Sequence, residues 1–298
     1  LALVLGFSGT YGVMADGEKG GLPGDEIQMN GVSQTIKDNT VKGAWLKNKS
    51  TLNADNIIFK DAPSNRDGKG EVAVDGGSIL NMTGGAINVA DGYFTVEEGS
   101  TANITKAEVT SGAFANNASI TMTDSTISGG TLYAGNVWEE DASLPSEKAD
   151  GQPGKLQVNG GTVNVALIWG QASVKGDASN AGGVYFGKDA DGKGAEVTVK
   201  GTKGLKLPDG KVLTGIYATE HGTVKFDGAK KADISEIHAD DNSIVEFSKV
   251  EDVTTGDVYV SNDGAVEFYD LPKASISNVN ISSIGYVSIN DVAQVNIG

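Results

Sequence analysis

Four stretches near the end of the chain superpose without a gap when the sequence is shifted by 21 residues. Gly222-Thr-Val-Lys-Phe226 is followed by Ser243-Ile-Val-Glu-Phe247, Gly264-Ala-Val-Glu-Phe268 and Gly285-Tyr-Val-Ser-Ile289. Two more segments of the unit follow the same shift. Ile216, Ile237, Val258 and Val279 line up, with Ala218, Ala239, Val260 and Ile281 two places on. So do Ala232, Val253, Ala274 and Val295, followed by Ile234, Thr255, Ile276 and Ile297. Each unit therefore carries three inward pairs, nearly all apolar, spaced i and i+2. That is the period of a β-strand showing one face to a core, and helical spacing is absent.

Three short strands per unit, separated by polar corners, describe a triangular coil. The expected fold is all-β: a single-stranded, right-handed parallel β-helix with three strands per rung of about 21 residues. Corners fall at Glu220-His221-Gly222, Asp241-Asn242-Ser243, Asn262-Asp263-Gly264 and Ser283-Ile284-Gly285. Glycine at the third position is expected to supply backbone freedom for a tight turn. Six buried side chains do not offset the entropy of ordering a whole unit, so rungs are stable only as an array.

Upstream the repeat loosens. Gly77-Ser-Ile-Leu-Asn-Met82 matches Gly99-Ser-Thr-Ala-Asn-Ile104, and Ala118-Ser-Ile-Thr-Met122 forms a third copy at a shorter interval. Further inward pairs are expected at Val72/Val74, Ile87/Val89, Phe94/Val96, Val163/Val165 and Val197/Val199. The longest interruption runs from Trp138 to Gly154 and includes Glu139, Glu140 and Asp141. A polar excursion on a rigid scaffold is either a functional loop or a solvated insertion, and both readings stay open. No linker splits residues 16–298 into domains.

The chain opens on Leu1-Ala-Leu-Val-Leu-Gly-Phe7 and reaches Val13-Met14-Ala15 before turning polar at Asp16. Residues 1–15 read as the remnant of a secretory signal peptide with Val13-Met14-Ala15 as its cleavage box; a short buried strand is the alternative. Cysteine is absent, which excludes disulfides, thiolate metal sites and cysteine nucleophiles. It also suits a chain exported unfolded. A net charge of −16 and a single arginine, Arg66, argue against a nucleic-acid partner.

Together these features resemble the passenger domain of a Gram-negative autotransporter, in type V secretion. The resemblance rests on the signal-like start, the missing cysteine, the Gly/Asn/Asp-rich corners and rungs ending in Gly-x-Val-x-Phe. It implies a right-handed β-helix secreted to the cell surface and associated with the outer membrane. Membrane contact would come only through a C-terminal β-barrel that this chain does not contain. The repeat is still in phase at Gly298, so the rod is expected to continue.

No residues form a strong catalytic or metal motif, and no cofactor is expected. His221 falls at a corner and His238 on an outer face; solvated histidines explain both more simply than a metal pair or base. Asp189-Ala-Asp191-Gly192 hints at a calcium loop, but Lys193 stands where another oxygen ligand is wanted, so a plain turn is preferred. Two outward columns stand out. Tyr217, His238, Tyr259 and Asn280 share one, and Lys225, Glu246, Glu267 and Ser288 share another. The first is either an adhesive face or the ordinary preference of strands for tyrosine. The expectation is a non-enzymatic adhesin or biofilm-type virulence factor that binds host matrix protein, glycan or other copies of itself. A secreted polysaccharide lyase or hydrolase, with carboxylates converging in a groove, and a purely structural stalk are the alternatives.

Overall fold

The computed structural model describes residues 26–60, 71–89, 93–135, 153–172, 182–201, 204–206 and 212–298. The signal-like residues 1–15 lie outside them, and so do Trp138, Glu139, Glu140 and Asp141 of the excursion. Among the described residues there is no helix, and a single 27-stranded sheet carries the chain. Every pairing within it is parallel, and each strand pairs with its counterpart in the next coil. The fold is a β-solenoid. One small antiparallel pair, Leu205–Lys206 with Val212–Leu213, stands apart from it.

The strands form three faces. The first face stacks Ala44–Lys47, Glu71–Val74, Tyr93–Glu97, Ala113–Asn116, Thr131–Gly135, Leu167–Gln171 and Gly215–Thr219. It continues through the later halves of Lys231–Ala239, Asp252–Val260 and Ala274–Ile281. The second face includes Ser119–Thr123, Lys155–Asn159, Gly183–Gly187, Thr223–Asp227, Ile244–Ser248 and Ala265–Leu271. The third face closes each triangle, for example with Thr162–Val165 on Glu196–Val199.

All the expected inward columns of the last four rungs appear in register. The tightest is a phenylalanine stack on the second face. Phe186 and Phe226 have ring centroids 4.7 Å apart, Phe226 and Phe247 4.7 Å, and Phe247 and Phe268 5.1 Å. The rings are nearly parallel and fully buried. Rung spacing sets this geometry: strands about 4.8 Å apart leave room for offset-parallel rings.

Rung length varies upstream while register holds. On the same column, Ile104 to Met122 spans 18 residues and Phe186 to Phe226 spans 40. The extra residues leave at corners. In two successive rungs the sequence between a first-face strand and the following second-face strand is longest where residues 136–152 and 173–181 fall, outside the described residues.

The corners correct one expectation. Gly222, Gly264 and Gly285 do not supply left-handed backbone. That conformation belongs to the residues before them: Glu220 and His221, Asp241 and Asn242, Asn262 and Asp263, and Ser283 all have positive φ. The glycines are needed for space. A Cβ on Gly222 would lie 2.1 Å from the Gly170 carbonyl oxygen, and one on Gly264 2.3 Å from that of Ala239.

The turn from second to third face is simpler still. A single left-handed residue makes it at Asp38, Asn56, Lys106, Asp124, Gly228, Lys249, Asp270 and Asp291, and a pair of left-handed glycines at Gly84-Gly85 and Gly160-Gly161. One rung departs from this pattern and turns through Lys188–Gly194 instead.

Phe247 sits between two stacked rings, so Phe247→Ala should cost about 3–5 kcal/mol. Urea unfolding of the two proteins should show the drop in midpoint, with Phe247→Leu falling between them.

Candidate functional site: an outward aromatic ladder on the first face

Strand parity builds this site. On the first face Ile216 and Ala218 point into the core, which turns Tyr217 outward. The same alternation turns out His238 between Ile237 and Ala239, and Tyr259 between Val258 and Val260. Register pairs Tyr217 with His238, His238 with Tyr259 and Tyr259 with Asn280. The column expected from the 21-residue repeat is therefore present, and it is longer than the repeat reveals. Trp169 pairs with Tyr217, Tyr133 with Trp169, and Phe114 with Tyr133. Six consecutive rungs place an aromatic ring or imidazole at one outward position.

The ladder has two halves. Tyr217 and His238 stack at 4.4 Å with an interplanar angle of 9°. His238 and Tyr259 stack at 4.7 Å and 14°. These separations match the rung spacing, so the ring planes lie across the rod axis. Both faces of His238 are consequently covered, and solvent meets ring edges. Upstream, Tyr133 meets Trp169 edge-to-face at 5.8 Å and 80°. Phe114 and Tyr133 are buried despite their outward register, whereas Tyr259 is exposed. Tyr133 lies over Gly135, where a Cβ would come within 2.2 Å of its hydroxyl.

Polar columns run along both sides. On one side Glu236, Asp257 and Asn278 are in register. The Tyr259 hydroxyl donates to Asp257 Oδ2 at 3.2 Å, and Asn278 Nδ2 donates to Asp257 Oδ1 at 2.7 Å. His238 Nε2 lies 3.4 Å from Glu236 Oε2. On the other side Tyr133 donates to Gln171 Oε1 at 3.1 Å, Gln171 Nε2 to Glu220 Oε2 at 3.0 Å, and Trp169 Nε1 to Thr219 Oγ1 at 3.0 Å. Burial, with Glu236 and Tyr259 nearby, pushes the Tyr217 phenol up to about 12. The hydrogen bond to Asp257 chiefly raises that of Tyr259. Both phenols are protonated donors at neutral pH.

The ladder thus presents a hydrogen-bonding strip, edge-on rings between carboxylates and amides, with no open ring face at His238. The strip suits hydroxyl-rich or basic partners. A flat platform on which sugars stack needs ring faces, and His238 offers none. Sequence reasoning missed Trp169, Tyr133 and Phe114 because Trp169 to Tyr217 spans 48 residues and Tyr133 to Trp169 spans 36. The signal available to it was the pair pattern Thr-Leu-Tyr-Ala-Gly135 and Leu-Ile-Trp-Gly-Gln171, each with one aromatic between two small or apolar residues.

Comparison of the chain with family models, curated proteins and solved structures returns no match. Among the described residues, no group of three or more His, Asp or Glu converges as a metal site. Lys225 and Glu246 form the expected pair at 2.9 Å on the second face, and their partial exposure limits its worth. The hydrogen bond to Glu246 raises the Lys225 ammonium.

Tyr217 provides a direct check. Its folded phenol near 12 lies above the unfolded value of about 10. The folded state therefore holds the proton longer, and this stabilisation is complete below pH 10 or so. Stability should fall as pH rises from about 10 to about 12, and Tyr217→Phe should flatten that decline. Denaturant midpoints measured across this range for both proteins read out the difference.

Proposed function

We propose that this chain is a non-enzymatic binding rod of the autotransporter-passenger type, displayed at or released from the surface of a Gram-negative cell. Its contact surface is the first face, and its partners are a hydroxyl-rich glycan, a host matrix protein or another copy of the rod. The observation that supports this reading most is the part of the ladder that reaches solvent, Trp169, Tyr217, His238 and Tyr259, with its acidic and amide flanks. Aromatic and hydroxyl side chains with few rotatable bonds lose little entropy on contact. Repeating them at one spacing lets a long partner make many weak contacts at once. The signal-like start and the absence of cysteine support the export half of the reading.

Solid-phase binding to glycan panels and purified matrix proteins, with polysaccharide turnover measured in parallel, tests the proposal. Tyr217→Ala combined with Tyr259→Ala should weaken the strongest interaction about tenfold or more, the equivalent of roughly 1.4 kcal/mol, with the circular dichroism unchanged. Unchanged binding would remove the ladder from the account. Release of sugar fragments would replace the binding rod with the polysaccharide-enzyme alternative.

A further inference from the structure

The corner between second and third faces takes one left-handed residue, or a left-handed glycine pair, at ten places along the rod, from Asp38 to Asp291. The exception is Lys188–Gly194, and there the fold has built something. The loop folds back on itself, with Asp189 and Lys193 linked through backbone and Lys193 N donating to Asp189 Oδ1 at 2.8 Å. Asp189 is buried and meets Asp124 across Gly160. A Cβ on Gly160 would lie about 3.0 Å from Asp189 Cβ and 3.1 Å from Asp124 Oδ1. A hydrogen bond between the two carboxyls raises that of Asp124, while the Lys193 amide lowers that of Asp189. Both carboxyls lie against Gly160, which places the loop beside the corner two rungs back.

Lys188, at the start of this loop, lines a cleft of about 460 Å³ on the outside of the second face, a size within the range of small-ligand sites. Lys188, Lys225 and Lys249 line it with Gln157, Tyr185 and Asp227. Gly187 and Gly228 leave its floor bare. The Lys188 stem crosses Gly228, where a Cβ would fall 2.9 Å from Lys188 Cε. Lys225 is held by Glu246. Lys188 and Lys249 make no ion pair among the described residues, and Lys155 adds a further ammonium 5.0 Å from the Tyr185 ring centre. Three lysines against one lining carboxylate, Asp227, with Lys225 already paired to Glu246, leave a local excess of positive charge in a chain of net charge −16, and an anion would offset it.

We propose that this cleft binds the oxyanion groups of an acidic saccharide, carboxylate or sulfate, with Lys188 and Lys249 as the charged contacts and Gln157 and Tyr185 beside the sugar ring. The site is on a different face from the aromatic ladder and does not depend on it.

The test is calorimetric binding of the whole chain to three probes: oligogalacturonate, a heparin-derived sulfated oligosaccharide and a neutral cello-oligosaccharide. At least one acidic probe should bind, more weakly as salt rises, and the neutral one should not. Lys188→Gln with Lys249→Gln should lower that affinity at least tenfold. Lys37→Gln, which removes a lysine paired with Asp55 elsewhere on the face, should leave it unchanged, as should Tyr217→Ala with Tyr259→Ala. The two acidic probes separate carboxylate from sulfate recognition. Failure of both to bind, equal binding of the neutral probe, or full affinity in the double lysine variant would overturn the proposal.

Discussion

Everything in this molecule follows from parallel hydrogen bonding between consecutive coils. Each strand donates and accepts along its length to the strand one coil away, so a residue sits directly over its counterpart. A side chain's nearest neighbour is then the residue at the same position of the next rung. Inside, this makes phenylalanine stack on phenylalanine. At the corners it makes left-handed residues recur in columns. Outside, it turns one aromatic position per rung into a continuous ladder. The same rule that builds the core therefore builds the candidate binding surface, without any residue being brought from far away by a special device.

The part of the fold that was legible in the sequence is the part where rung length is constant. From Ile216 onward, equal spacing converts three-dimensional neighbours into a fixed sequence shift, and the inward pairs and the Tyr217–Asn280 column could be read directly. Upstream, insertions at corners change the shift while leaving the register intact. Local parity still exposed pairs such as Phe94/Val96 and Val163/Val165, both buried. It could not say that Trp169 lies beneath Tyr217, because their separation depends on loop length and not on strand geometry. The corner glycines were misread for a related reason. A glycine's conformation and its closeness to a neighbouring carbonyl are indistinguishable in one dimension. The left-handed Lys106 and Lys249 also carried no turn signal, since lysine is an uncommon occupant of that conformation.

The two surfaces differ in chemistry because their columns carry different charges. The first face sets ring edges beside Glu236 and Asp257, and its tyrosines keep their protons far above neutral pH. The second face gathers ammonium groups around two glycines where the corner pattern is broken. A uniform solenoid has no reason to differ from one side to the other. Between Phe114 and Lys249 the rungs differ most in length: 36 residues separate Tyr133 from Trp169 and 48 separate Trp169 from Tyr217. The regular rungs beyond that span extend the scaffold.

The account stands on the claim that the ladder runs unbroken through the insertions. Because the chain has no cysteine, engineered thiol pairs test it without background. Trp169→Cys with Tyr217→Cys places thiols 48 residues apart in sequence but in register on adjacent rungs. Oxidation or a short bifunctional thiol reagent should close this loop in high yield. Trp169→Cys with Lys225→Cys, which lies on another face, should not close. Efficient closure of the second pair, or failure of the first in a protein that still folds, would contradict the register on which both surfaces depend.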